Sequence, residues 1–283
     1  MSTPLISNVS DTARWVATYR AWETARPDAL FHDPYASKLA GERGAEIARS
    51  VPQGVRNGWS IVVRTKIIDD LILQCVSEGC DCVVNLAAGF DARPYRMKLP
   101  ANLLWVEADL PAMIAEKQRL LVDASPACRL ARHPVDLSEA AARAEFLDEV
   151  QRHAAKALVI TEGLITYLPD EVVRALAVDL HRRSAVEWWI ADFFSPSLLR
   201  RTRKLMGASL AQAPLVFAPA DGVRFFEASG WKTLDIRSII AAAKSLGRLP
   251  FHFLYWLISV LTPEPDPRRF GRANWYGVVR LQR

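Results

Sequence analysis

Four short apolar runs in this chain are each followed closely by small or acidic residues. Cys82–Leu86 runs into Ala87-Ala88-Gly89-Phe90-Asp91, and Leu103–Val106 into Glu107-Ala108-Asp109. Ala127–His133 is followed by Asp136-Leu137, and Ala157–Thr161 by Glu162-Gly163. Small residues let a backbone approach a ligand closely. An acid at Asp109, twenty residues beyond Gly89, can accept hydrogen bonds from both hydroxyls of a ribose. Asp136 can take an adenine amino hydrogen beside the apolar Leu137. Any one acid at a strand end is a common surface feature; four in register point to a nucleoside site.

The kind of nucleoside follows from the first loop. A pyrophosphate needs a G-x-G-x-x-G turn opening onto a helix N-terminus. This loop has a single glycine, Gly89, with Asp91 close behind it. A carboxylate there repels a pyrophosphate but tolerates a positive sulfonium, which favours S-adenosylmethionine over NAD.

Elements of matching rhythm must position these residues. Ile61 to Val76 reads as a helix, with Ile61, Ile68, Ile72 and Cys75 on one face. Strand-like runs at 82–86, 103–106, 127–133, 157–161 and 186–193 alternate with helical stretches. One of these has Pro111 in its first turn, one is capped by Ser138, and one carries Val173, Leu176, Ala177 and Leu180 at helical spacing. Such alternation demands parallel pairing with helices on both faces. The strands at 231–236 and 275–281 lack a periodic helix between them, which suits antiparallel pairing. The first 58 residues read as helices and loops.

The quoted runs, VVNLAAGFDARPYR (83–96), VEADLP (106–111), VDL (135–137) and ITEGLITYLP (160–169), resemble the leucine carboxyl methyltransferase family over about residues 12–180. FHDPYA (31–36) resembles the N-terminal signature of its bacterial, small-molecule branch. The resemblance implies an α/β, Rossmann-like class I methyltransferase fold: a mostly parallel seven-stranded sheet with helices on both faces, plus helical N-terminal and late cap segments. The rhythm of the elements divides the chain into a cap at 1–58 and a methyltransferase domain at 59–283 with a lid insertion at about 195–262. The resemblance carries the cofactor: it implies S-adenosyl-L-methionine, with S-adenosyl-L-homocysteine as product, and no metal. By position, Arg64 matches the arginine that grips the cofactor's carboxylate, and Arg20 a second basic contact. Ala87 and Gly89 match the first and last glycines of a G-A-G turn. Asp109 matches the ribose acid, Asp136 and Leu137 the adenine contacts, and Glu162 the acid after the fourth strand. Ala87 departs from the pattern: its methyl faces the cofactor, and alanine is small enough that tolerance is the expected result, with room for some loss of affinity.

Methyl transfer is an in-line displacement in which orientation supplies most of the catalysis. No residue stands out as a general base, so the catalytic group stays unassigned and a carboxylate or acidic hydroxyl is the favoured acceptor. Tyr167 and His252 are candidate substrate contacts. The aromatic segment Leu249–Leu261 reads either as a lid over a hydrophobic acceptor or as a core helix or dimer contact. Methylation of a protein C-terminus and non-catalytic cofactor binding remain alternatives.

Composition bounds the partners. Hydrophobic residues at 51% and charged residues at 24% exclude a disordered chain. The net charge of +5 is mild, and the densest basic run, Arg200-Arg201-Thr202-Arg203-Lys204, is short. It reads as a solvated helix face rather than a contact for nucleic acid or an anionic membrane. Four cysteines make no disulfide scaffold or zinc pattern, and no apolar run reaches the ~20 residues a bilayer span needs. The expectation is a cytoplasmic monomer or homodimer without stable membrane insertion, acting on a small-molecule acceptor and not on nucleic acid.

Overall fold

Residues 82–86 and 157–161 are buried on both faces, as strands between two helical layers must be. In the computed structural model, which describes residues 9–50, 54–206, 214–249 and 264–283, they form the centre of one seven-stranded sheet. The strands are β1 (Cys82–Leu86), β2 (Leu104–Asp109), β3 (Arg129–Pro134), β4 (Ala157–Thr161), β5 (Val186–Phe194), β6 (Lys232–Ser238) and β7 (Tyr276–Gln282). Their order is β3-β2-β1-β4-β5-β7-β6. The first five pair in parallel, and β7 runs antiparallel to both β5 and β6. This is the mostly parallel α/β architecture, with the antiparallel pairing of the last two strands, that the sequence implies.

Alternation along the strands feeds two cores. Val84, Val159 and Trp189 face one layer, while Val83, Leu158, Trp188 and Ile190 face the other. Helix α3 (Gly54–Ser77) covers the second layer with Ile68, Leu71, Ile72 and Cys75. Helix α7 (Asp170–His181) covers the first with Val173, Leu176, Ala177 and Leu180. Between them in sequence lie α4 (Arg93–Arg96), α5 (Pro111–Leu120) and α6 (Ala140–His153). Pro111 opens α5 as expected. Ser138 does not cap α6: its hydroxyl donates to Asp136, and Glu139 holds the cap position without a side-chain bond.

The first 58 residues supply α1 (Val9–Thr24), α2 (Ala36–Ser50) and the start of α3, which runs across the expected boundary at 58. Glycine sets how closely these helices pack. A Cβ at Gly44 would lie 2.6 Å from the Arg14 carbonyl oxygen of α1, and one at Gly58 would lie 2.4 Å from the Tyr19 ring. The late region holds α8 (Pro196–Met206), α9 (Arg224–Glu227), α10 (Ile239–Ser245) and the sheet strand β6. The aromatic segment after Leu249, with His252, lies outside the described residues. Among the described residues, no helix is long and apolar enough to cross a membrane.

Because the obstacle at Gly44 is backbone, Gly44→Ala should push α1 off α2. The expected cost is about 1–3 kcal/mol in urea unfolding, against an unchanged midpoint if the two helices can slide apart freely.

Candidate active site

In open parallel sheets, ligands bind beyond the carboxyl ends of the strands where the order reverses. Here that point lies between β1 and β4. The chain leaves β1 through Ala87 (φ 53°) and Gly89 (φ 47°), two left-handed residues in three. Glycine adopts this conformation freely, whereas alanine pays about 1–2 kcal/mol. Asp109, closing β2, fastens the turn: its Oδ2 accepts from the Gly89 N–H at 2.7 Å and its Oδ1 from the Leu110 N–H at 2.7 Å. Each oxygen keeps a lone pair for another donor. Burial raises the Asp109 pKa against the pull of those two N–H groups.

A buried ionic network fills the neighbouring strand ends. Arg64, from α3, donates its Nε to Glu162 (2.9 Å) and its Nη1 to Asp192 (3.1 Å) and the Tyr276 hydroxyl (3.0 Å). Its Nη2 has no hydrogen-bond partner among the described residues. The Tyr276 hydroxyl donates to Asp192 at 2.8 Å, and Asp192 also accepts the Gly163 N–H at 2.6 Å. Arg93, on α4, bridges Asp69 (2.7 Å), Asp91 (2.8 Å) and Glu162 (2.6 Å). Asp91 accepts from Asn85 as well, at 2.8 Å. Arg96 adds a second grip on Asp69 at 2.7 Å.

Burial alone would favour the protonated form of Glu162 and Asp91. For Glu162 it is outweighed by Arg93 and Arg64, which hold the carboxyl below its ordinary range. For Asp91 it is outweighed by Arg93, Lys117, Arg96 and Arg20. Desolvation acts unopposed enough on Tyr276 and Tyr167 to raise both phenols, so each stays protonated at neutral pH.

One cavity of about 620 Å³ gathers Arg20, Arg64, Ala87, Gly89, Asp109, Glu162 and Tyr167. Arg20 reaches it while bonded to Asp33 (2.9 Å) and the Phe90 carbonyl (2.6 Å). Asp136 and Leu137 do not line it. Asp136 is exposed and accepts the Ser138 N–H and hydroxyl, and Leu137 packs against the core. The network residues Asn85, Arg93, Asp192 and Tyr276 also line the cavity, and none was singled out by the strand-end pattern. Asp192 obeys the same rule as the other acids, being near the carboxyl end of β5, but it sits inside the run VEWWIADFF. Arg93 follows Asp91 by two residues and had no such signal. The repulsion expected from Asp91 is muted, because Arg93 pairs with it. Much of the remaining wall is apolar, with Trp15, Trp59, Phe194, Leu198, Leu215, Ile239 and Ile240, while Arg201, Thr202 and Asn274 add polar groups to it. Among the described residues, no cluster of three or more His, Cys, Asp or Glu could hold a metal ion.

This sheet order, with a left-handed turn after β1 and acids at the strand ends, is that of the Rossmann-like class I methyltransferases. The model of the leucine carboxyl methyltransferase family matches residues 13–180, and the chain belongs to that family. A Mycolicibacterium gilvum relative is 36% identical over 217 residues, covering 69% of each chain, and a Frankia alni relative is 33% identical over 254 residues, covering 83% of this chain and 87% of its own. Both are named, provisionally, as S-adenosyl-L-methionine-dependent methyltransferases. The crystal structure of a DUF574 family protein from Streptomyces avermitilis superposes with a TM-score of 0.58 at 13% identity, covering 96% of this chain and 97% of its own.

Two outcomes follow. Ala87→Gly relieves a left-handed alanine and should raise stability by about 1 kcal/mol in denaturant unfolding; a loss would mean that the methyl group packs usefully. Glu162 and Asp91 have lowered folded pKa values, so their contribution is complete above the unfolded value near ~4 and is lost as pH falls below it. Asp109, raised on folding, has the opposite sign. Glu162→Gln should therefore flatten the decline in stability between about pH 5 and 3; parallel curves for the two proteins would remove Glu162 from the network.

Proposed function

We propose that this protein is an S-adenosyl-L-methionine-dependent O-methyltransferase that methylates a carboxylate or acidic hydroxyl of a small, hydrophobic or aromatic molecule. The observation that carries the reading is the Asp109 clasp on the Ala87–Gly89 turn, opening into the same cavity as the Arg64–Glu162 pair.

The residues suit the cofactor. Asp109 would take the ribose hydroxyls on its remaining lone pairs, and the partnerless Nη2 of Arg64 would take the methionine carboxylate. The lining charges are matched, with Asp91, Asp109, Glu162 and Asp192 against Arg20, Arg64, Arg93 and Arg201. Three of those arginines are already paired to carboxylates, which leaves little free positive charge for a polyphosphate. Bound S-adenosyl-L-methionine supplies an electrophilic methyl group on a sulfonium.

The chain's own contribution is orientation and exclusion of water. Arg64 is fixed from three sides by Glu162, Asp192 and Tyr276, so its free edge has one direction. The apolar wall desolvates an acceptor beside this cluster and strengthens its electrostatics. Tyr167 lines the cavity as a neutral phenol, able to orient an acceptor oxygen but not to deprotonate it. That supports an acceptor already ionised at neutral pH.

Calorimetric titration with S-adenosyl-L-methionine, and separately with NAD and ATP, tests the reading. Saturable binding of the first alone is expected, weakened at least tenfold in Asp109→Ala. Methyl transfer from labelled cofactor to a panel of aromatic acids and phenols should follow. The reading fails if millimolar cofactor does not bind, or if Asp109→Ala binds as the parent does.

A further inference from the structure

Three of the four arginines that line the cavity are committed within the protein. Arg20 holds Asp33, Arg64 holds Glu162 and Asp192, and Arg93 holds Asp69, Asp91 and Glu162. Arg201 is the exception. It lines the cavity from α8, and its side chain has neither an ion pair nor a hydrogen bond among the described residues. The stretches outside those residues, 1–8, 51–53, 207–213 and 250–263, contain no aspartate or glutamate. No carboxylate side chain there is available to it.

Its setting is not that of an ordinary surface cation. Leu198, Arg201, Thr202 and Leu205 fall at i, i+3, i+4 and i+7, and all four line the cavity. They form one helix face directed at the apolar wall. The other basic residues of α8 lie off this face: Arg200 and Lys204 are exposed, and Arg203 donates to the Leu215 carbonyl. Arg201 is itself exposed, and Leu205 beside it is 60% exposed, so the guanidinium stands where the apolar wall meets solvent. A guanidinium pairs with a planar anion through parallel N–H donors, and more strongly beside apolar surface than in open water.

The geometry points to Arg201 as a specificity residue that holds an anionic group of the acceptor, while the acceptor's hydrophobic body lies along the wall formed with Trp59, Phe194 and Leu198. The cavity thus selects amphiphilic anions, such as aromatic or alkyl carboxylates or sulfonates, over their neutral analogues. This inference rests on reading the cavity as a methyl-transfer site, with the cofactor at the strand ends.

A matched pair of probes tests it. The protein saturated with S-adenosyl-L-homocysteine is titrated with 2-naphthoate and with 2-naphthylmethanol, which share a body and differ in charge. The naphthoate should bind at least tenfold more tightly, and raised salt should narrow the gap. Arg201→Met should abolish the preference and leave naphthylmethanol binding unchanged, whereas Arg201→Lys should restore part of it. Equal binding of the two probes, no naphthoate binding, or a preference that survives in Arg201→Met would overturn the inference. Failure of S-adenosyl-L-homocysteine itself to bind would instead overturn the methyl-transfer reading beneath it, so the two failures are told apart in one experiment.

Discussion

A parallel sheet that presents acids at the ends of adjacent strands must neutralise them without water, and the arrangement of this molecule follows from how it does so. Glu162 and Asp192 come from neighbouring strand ends, with Asp91 in the loop beyond β1. Without cations between them, burial would favour the neutral form of Glu162 and Asp91, and the clustered carboxylates would push the strand ends apart. Arg64 and Arg93 occupy those gaps, one from the long helix α3 and the other from a helix of four residues. A short helix is a poor scaffold by itself. Arg93 holds its place because each of its bonds is charge-assisted and its side chain is 2% exposed. Leaving any member of such a group unpaired costs far more than the pair contributes on forming, so the network specifies one arrangement of β1, β4, β5 and α3 together.

The N-terminal helices are tied into the same charges. Arg20 of α1 bonds Asp33, Asp33 lies 3.9 Å from Arg96, and Arg96 grips Asp69 beside Arg93. Arg20 also bonds the carbonyl of Phe90 in the loop that follows β1. The segment ahead of the sheet is thus joined by polar bonds to the loop after β1, and its helices are packed closely on one another at Gly44 and Gly58. Helix α1 itself supplies part of the cavity wall, through Thr12, Ala13, Trp15, Val16 and Arg20.

Much of the fold was legible because strands covered on both faces read as unbroken apolar runs, as 82–86 and 157–161 do. The edge strand β3 is half-exposed along most of its length, and its run was correspondingly faint. Within the site, Asp109 and Glu162 were legible because each directly ends or follows a strand and the turn chemistry before Gly89 is local. Asp136 carries the same local signature, yet its bonds to Ser138 leave it facing solvent. Local spacing cannot distinguish an acid that turns inward from one that closes its own turn. Asp192 and Tyr276 meet across 84 positions, and such a contact exists only once the strand order is known. The basic run of α8 reads as one solvated face by composition. The helix divides it, with Arg201 on the cavity side and Arg200 and Lys204 away from it.

The place of β7 in the sheet has a consequence for the order of assembly. Lying between β5 and β6, it is synthesised after both, and it delivers the Tyr276 hydroxyl to Asp192 and Arg64. During synthesis the first five strands can pair in parallel as they emerge, since domains begin to fold from the N-terminal side. Until residues 276–282 arrive, Asp192 lacks its phenol donor, Arg64 lacks one of its three anchors, and β5 has an open edge. A nascent or prematurely terminated chain can therefore build most of the sheet while its strand-end network stays incomplete. The same late strand that seals the edge against aggregation also completes the charge network, so closure of the sheet and settling of its buried charges are one event.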